Sequence, residues 1–282
     1  QRKKLDNDIR YLVGQQSGFG DIAVAVVDSE GVVSQVNGSR AFPLASVFKL
    51  PLMLAILKKQ EEGKFPSSGS VLTVTTSDQC IGSGSLSGQG VGATVSVDKA
   101  MRLMMSISDN TATDLLFRRF GCADLDPWLR SLGFKSSEII LTNRQAWLLS
   151  LGKVPGWGKT TPEDRVRYWE KLDRAGRLAL GEKIESSAAN MSLSQFQAIE
   201  NASTGTQTET QDNMLAARLD NKMSALDLAN LLMGLDQGSY LGDSARRTAF
   251  SILGGQKYHS RIPAKLSAST EVFHKRGTLS GV

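Results

Sequence analysis

With 282 residues, 40% of them apolar and 22% charged, the chain is long enough to bury a core without staples, and its 27 glycines in no fixed period exclude a collagen-like fibre as the composition excludes wholesale disorder. A balance of 33 basic against 28 acidic residues gives a net charge of +5, which favours anionic surfaces or substrates, yet no basic block beyond RKK at 2–4 and no aromatic strip marks a nucleic-acid binder. Two cysteines, Cys80 and Cys122, are too few for a disulfide framework and lack CxxC spacing, which leaves one optional bridge and argues against a metal or redox pair.

Leu5, Ile9, Leu12 and Val13 recur at helical spacing before Gly14 and predict an amphipathic N-terminal helix. The chain opens on a polar QRKK without an apolar signal core, so any export signal is expected to have been removed or never to have existed. DIAVAVVD (21–28) is apolar on both faces, the pattern of a central strand, and SEG turns it into a second strand over 32–37. In FPLASVFKLPLMLAIL (42–57) the apolar residues from Val47 onward cover nearly the whole helical circumference, which predicts a helix through the core. Its apolar run, 50–57, is too short to span a membrane.

VLTVTTSD (71–78) reads as a short extended segment, and IGSGSLSGQGVG (81–92) as a loop whose glycines make no dinucleotide fingerprint. Ser96 caps a helix through Met105, and a second helix over 111–120 ends at Gly121, with SISDN in the break between them. Thr161 with Pro162, Glu163 and Asp164 starts a helix running to Gly176. The polar stretch 201–213 reads as an exposed loop, SALDLANLLMGL as a helix, and EVFHKRGTLSG (271–281) as a returning strand. Strands at both ends with helices between them give an α/β fold of the α+β type: one domain, with an α/β lobe from 1–45 and 236–282 and an all-helical lobe from 46–235.

Ser46 and Lys49 share a helix face and put a hydroxyl beside an amine at the mouth of the core helix. Burial lowers the pKa of such an amine, and a neutral amine activates a hydroxyl, while the helix N-terminus favours an oxyanion at a carbonyl under attack. A cap serine beside a snorkelling lysine has the same spacing. SDN at 108–110 adds a hydroxyl that relays a proton and an amide that holds a substrate amide. KRG at 275–277 adds a cation and a glycine that lets a ligand approach the backbone. There is no GxSxG elbow; His259 reads as a surface residue and His274 as structural. No HExxH or cysteine cluster suggests zinc.

The SxxK, SDN and KxG elements in this order, on DIAVAVVD, FPLASVFKLPLMLAIL, SDNTATDLL and FHKRGTLSG, resemble the penicillin-recognising serine enzymes, most closely class A β-lactamases. The resemblance implies a β-lactamase/transpeptidase-like fold, with an antiparallel sheet from the N- and C-terminal parts, flanking helices and a helical lobe. It implies Ser46 as acyl-accepting nucleophile, Lys49 as its base or relay, Ser108 as proton shuttle to the leaving nitrogen, and Lys275 as support for that shuttle and attractor of a substrate carboxylate. The N–H groups of Ser46 and Thr278 would form the oxyanion hole beside Gly277, and Asn110 would bind the substrate's amide. No cofactor or metal is implied. The implied partner is a small-molecule β-lactam or a peptidoglycan-type peptide, and the implied location is periplasmic, secreted or on the cell surface.

Three departures stand out. The family's water-activating Glu lies in an ExxxN element soon after SDN, whereas 138–153 here reads EIILTNRQAWLLSLGK, and the one pair at that spacing is Glu209 with Asn213. A helical insertion over about 144–201 accounts for the 167 residues between Ser108 and Lys275. Arg276 replaces the Thr or Ser that bonds the substrate carboxylate, and its guanidinium either grips a carboxylate or points into solvent. The family also continues past the KxG strand, so the chain is expected to be truncated, cleaved or partly unobserved. Acylation is thus better supported than turnover. β-Lactam hydrolysis stands first, D,D-peptidase action on cell-wall peptides second, and non-catalytic binding third.

Overall fold

The computed structural model describes residues 1–16, 18, 20–267 and 269–279. Helix α1 (Arg2–Gln15) lies along strand β2 (Gly31–Val36), which pairs antiparallel with β1 (Val24–Asp28). Strand β3 (Ala41–Pro43) leads into a 3-10 turn, Ala45–Phe48, and then helix α2 (Lys49–Glu61). Every residue of α2 from Lys49 to Leu57 is buried, as expected of a helix apolar on all sides.

Strands β4 (Val71–Thr73) and β5 (Thr94–Ser96) form a second small antiparallel pair. Ser96 Oγ accepts from Lys99 N at 3.2 Å and starts α3 (Val97–Ser106); Asp109 caps α4 (Asn110–Phe120), its Oδ1 2.9 Å from Ala112 N. Helices α5 (Leu125–Ser131), α6 (Asn143–Ser150), α7 (Pro162–Glu170), α8 (Arg174–Ser187), α9 (Leu193–Ser203) and α10 (Glu209–Leu219) follow. Strand β6 (Lys222–Ser224) pairs with β3, then come α11 (Ala225–Gln237), which lies along β1, and α12 (Asp243–Gly254).

Two apolar cores result. One surrounds α2 with side chains of α3, α4, α5 and α12; the other joins Cys80, Ile81, Ile140 and Leu141 to α6–α10. The site described below lies where they meet.

Three local expectations are corrected, and the open alternative of a cysteine bridge is resolved. The helix begun at Thr161 stops at Glu170, because Asp173 caps a new one, its Oδ1 accepting from Gly176 N at 2.8 Å. The 201–213 loop shrinks to a short break, because α9 runs to Ser203 and a capping box of Thr208 with Gln211 opens α10. Cys80 and Cys122 are free thiols, not a bridge. The segment 271–279 forms no strand, and β1 has β2 as its only strand neighbour among the described residues; Ser280 and Gly281 lie outside them. Side chains take up its carbonyls instead: Lys275 Nζ donates to Arg276 O at 2.6 Å and Arg261 to Gly277 O at 2.7 Å. Arg261 and Lys275 thus satisfy carbonyls that a ladder would have used.

Candidate active site

Ser46 sits in the 3-10 turn that opens α2, preceded by Ala45 at φ +46°, a left-handed conformation costly for a residue with a Cβ. An anchor holds it: Ala45 N donates to Asp220 Oδ2 at 2.6 Å. One turn on, the Lys49 side chain is wholly removed from solvent. Its Nζ donates to Ser108 O at 2.7 Å, Ser108 Oγ at 3.1 Å and Asn110 Oδ1 at 2.7 Å. Three acceptors match the three protons of an ammonium. Burial nevertheless lowers its pKa to about 8, against the opposing charges of Asp114, Cys80 and Asp109.

Ser108 is also left-handed, at φ +59°, and buried. The glycine-rich loop braces it: Ser83 Oγ donates to Ser108 O at 2.7 Å, and Asn110 N donates to Ser83 O at 2.9 Å. That contact explains two of the loop's glycines. A Cβ on Gly84 would stand 2.3 Å from the Asp109 carboxyl carbon, and one on Gly82 2.8 Å from Asn110 Nδ2.

Lys275 reaches Ser108 Oγ from the other side at 3.1 Å. Burial lowers its pKa to about 7, helped by the charges of Lys49 and Arg276. One hydroxyl therefore lies between two amines that burial biases toward the neutral form. Gly277 completes the contact, for a Cβ there would stand 2.6 Å from Leu44 O and 2.9 Å from Ser46 N.

Ser46, Ser108, Asn110, Arg276, Gly277 and Thr278 all line one cavity of about 670 Å³, and Lys49 and Lys275 reach it through Ser108. Asn110 spends Oδ1 on Lys49 and one Nδ2 proton on Ile81 O at 2.9 Å, so one amide proton is left for a ligand. Arg276 neither grips another site residue nor swings free: it stacks over Tyr258, 4.1 Å from the ring centre, and donates to Ser260 Oγ at 3.0 Å. His274 is buried, with Nε2 3.0 Å from Tyr258 O, while His259 is exposed. Neither lines the cavity.

Glu209 is exposed on the first turn of α10 and does not line the cavity. The lining carboxyls among the described residues are Glu200, Asp212 and Asp220. Sequence reasoning missed four supporting residues. Asp220 anchors the turn that carries Ser46. Arg261 holds Thr278 Oγ1 at 2.8 Å. Asp109 binds the N–H groups of Ser85 and Leu86 at 2.6 and 2.8 Å. Asp114, its pKa raised to about 6 by burial, accepts Asn143 N, Asn143 Nδ2 and Arg144 N, each at 2.8 Å, and ties α6 to α4. Asp109 carried a signal, its place inside SDN; the others act across long loops that leave no local pattern.

A family model described as the beta-lactamase enzyme family matches residues 4–199 and 176–282. Beta-lactamase PSE-4 of Pseudomonas aeruginosa is 30% identical over 139 residues, 49% of this chain and 47% of that one. The chain thus spans about half the length of the curated relatives it matches. Among solved structures it is similar to a variant of PBP-A in an acyl-enzyme complex with penicillin G, with TM-score 0.62 and 21% identity over 98% of this chain and 78% of that one. It is also similar to a β-lactamase from Chitinophaga pinensis, with TM-score 0.64 and 20% identity over 96% and 78%. At those identities the likeness is one of fold, and the fold is the one the sequence resemblance implied.

Proposed function

The chain belongs to the β-lactamase enzyme family, and from that premise we propose that it is a serine hydrolase acylated at Ser46 by β-lactams, with hydrolysis of the β-lactam as the overall reaction. The observation that carries this reading is the Ser108 hydroxyl, 3.1 Å from both Lys49 Nζ and Lys275 Nζ in the cavity that holds Ser46.

The chemistry follows from the proton inventory. A protonated Lys49 fills its three acceptors; a neutral one keeps Ser108 O and Asn110 Oδ1 and turns its lone pair toward the Ser108 hydroxyl at the cavity. In that state it takes the proton of Ser46 as Oγ bonds to the amide carbon. The N–H groups of Ser46 and Thr278 stabilise the oxyanion. Collapse breaks the C–N bond, and the departing nitrogen collects its proton through Ser108, which both amines resupply. The Arg276 guanidinium, which lines the cavity beside Lys275, suits a substrate carboxylate.

A cell-wall D,D-peptidase uses the same acylation half, and the exposure of Glu209 outside the cavity favours that second reading. Both substrate classes place the protein outside the cytoplasm, which belongs to the same proposal. The test is hydrolysis of a chromogenic cephalosporin, set beside release of D-alanine from a peptide ending in D-alanyl-D-alanine. Turnover of either that is lost in Ser46→Ala supports the reading, and activity that survives Ser46→Ala overturns it.

A further inference from the structure

An ester on Ser46 is cleared only when water adds to its carbonyl, and water is a poor nucleophile until a base takes its proton. Neither lysine is well placed for that second half. Lys49 and Lys275 are both committed to Ser108, on the side from which the leaving nitrogen is protonated. A carboxylate is the remaining choice, and three line the cavity: Glu200, Asp212 and Asp220.

They differ in where they sit. Asp212 is exposed, and Glu200 stands near the end of α9, with Gln197 Nε2 3.4 Å from its Oε2. Asp220, just beyond α10, reaches across 175 residues of chain to the nucleophile's own turn, where Oδ2 accepts Ala45 N at 2.6 Å. Ala45 immediately precedes Ser46. That bond fixes the carboxyl group beside Ser46; with the N–H groups of Asn221 and Leu44 also directed at it, about one of the four acceptor sites of an ionised carboxylate is left for a water.

We propose that Asp220 is the general base that activates the water which hydrolyses the Ser46 ester, a role that rests on the acylation reading above. A cavity water gives a proton to Asp220 as its oxygen bonds to the ester carbon. The tetrahedral oxyanion collapses, the C–Oγ bond breaks, Ser46 Oγ recovers the proton held by Asp220, and the acyl group leaves as a free carboxylic acid. Burial pushes the Asp220 carboxyl up to about 6, with backbone N–H groups and Lys222 opposing the shift. It is therefore more basic than an ordinary aspartate and still ionised at neutral pH, as a base for water requires.

The experiment follows intact mass with time after a short pulse of benzylpenicillin, for wild type, Asp220→Asn and Glu209→Gln. An asparagine keeps an oxygen for Ala45 N but cannot take a proton, so acylation persists. The expected result is an adduct that clears from wild type and Glu209→Gln and accumulates on Asp220→Asn, with clearance slowed by roughly 100-fold or more. Wild-type clearance should also fall as the pH is lowered through about 6, and this second measurement stands if the variant does not fold. Asp220→Asn clearing as fast as wild type, or a wild-type adduct that never clears, overturns the proposal. A folded Asp220→Asn that is not acylated at all overturns it too, because Asp220 would then act on the first step. No adduct on wild type removes the acylation reading itself, an outcome distinct from the others because it appears without any substitution.

Discussion

Replacing Gly277 by alanine probes how closely the terminal segment is fitted against the turn that carries Ser46. The added Cβ would lie 2.6 Å from Leu44 O, 2.9 Å from the Ala45 Cβ and 2.9 Å from Ser46 N. Two of those three atoms are backbone, and all belong to the turn that Asp220 anchors. Ordinary contact needs about 3.5 Å, so the two segments must part by roughly 1 Å. Overpacking of this kind costs about 1–3 kcal/mol. Much of that cost can be relieved by shifting the terminal segment, which is held by side chains and not by a sheet.

The functional cost is larger. Moving the segment carries Thr278 away from Ser46, and misplacing a catalytic group by about 1 Å reduces rate on the order of 100-fold. The assay is the acylation rate with a fluorescent penicillin, paired with a thermal melt. The expected outcome is a melting temperature only a few degrees lower, at roughly 2–4 °C per kcal/mol for a protein of this size, with acylation nearly abolished. Acylation at the wild-type rate would refute the claim that this contact builds the oxyanion hole.

Ser108→Ala removes the hydroxyl shared by the two amines; acylation by benzylpenicillin should fall by about 100- to 10,000-fold with little change in melting temperature. Asp109→Ala strips an acceptor from the N–H groups of Ala112, Ser85 and Leu86, and urea titration should register a loss of about 2–4 kcal/mol; a loss near zero would contradict that bracing role. Lys49→Met tests linkage. Burial lowers the folded pKa of Lys49 from 10.5 to about 8, so the unfolded chain binds more protons between those values and wild-type stability rises with pH across that window. Relative to Lys49→Met, wild type should gain about 3 kcal/mol from pH 8 to 10.5 and nothing below pH 8; a difference that stays flat across the window would show that the amine is not desolvated.

Local chemistry carried much of this fold into the sequence. Helix α2 was legible because the apolar residues 50–57 leave no polar face, α3 because Ser96 is a cap residue at the right offset, and the end of α4 because Gly121 follows it. That the terminal segment 271–279 joins no sheet was not legible in the same sense. Alternation marks residues able to join a ladder, but the ladder needs a neighbour, and pairing is a property of the whole fold. Side chains that act at a distance escaped for a related reason. Asp220 reaches Ala45 across 175 residues, and nothing in LDN announces it. The strained φ values at Ala45 and Ser108 were equally hidden, because neither residue type favours them; tertiary contacts impose them. The motif glycines show the converse. Gly277 could be assigned to close approach, but the partner it approaches, Leu44 O and Ser46 N, emerges only from the packing.

The central claim is that Ser46, and no other nucleophile, takes the acyl group. Trypsin should release the peptide spanning 41–49, AFPLASVFK, in which Ser46 is the sole hydroxyl. Tandem mass spectrometry of that peptide after quenching with acid should find the penicilloyl mass on Ser46 in wild type and no adduct in Ser46→Ala. An adduct on any other peptide, or an unmodified 41–49 peptide from penicillin-treated protein that binds the drug, would contradict the account.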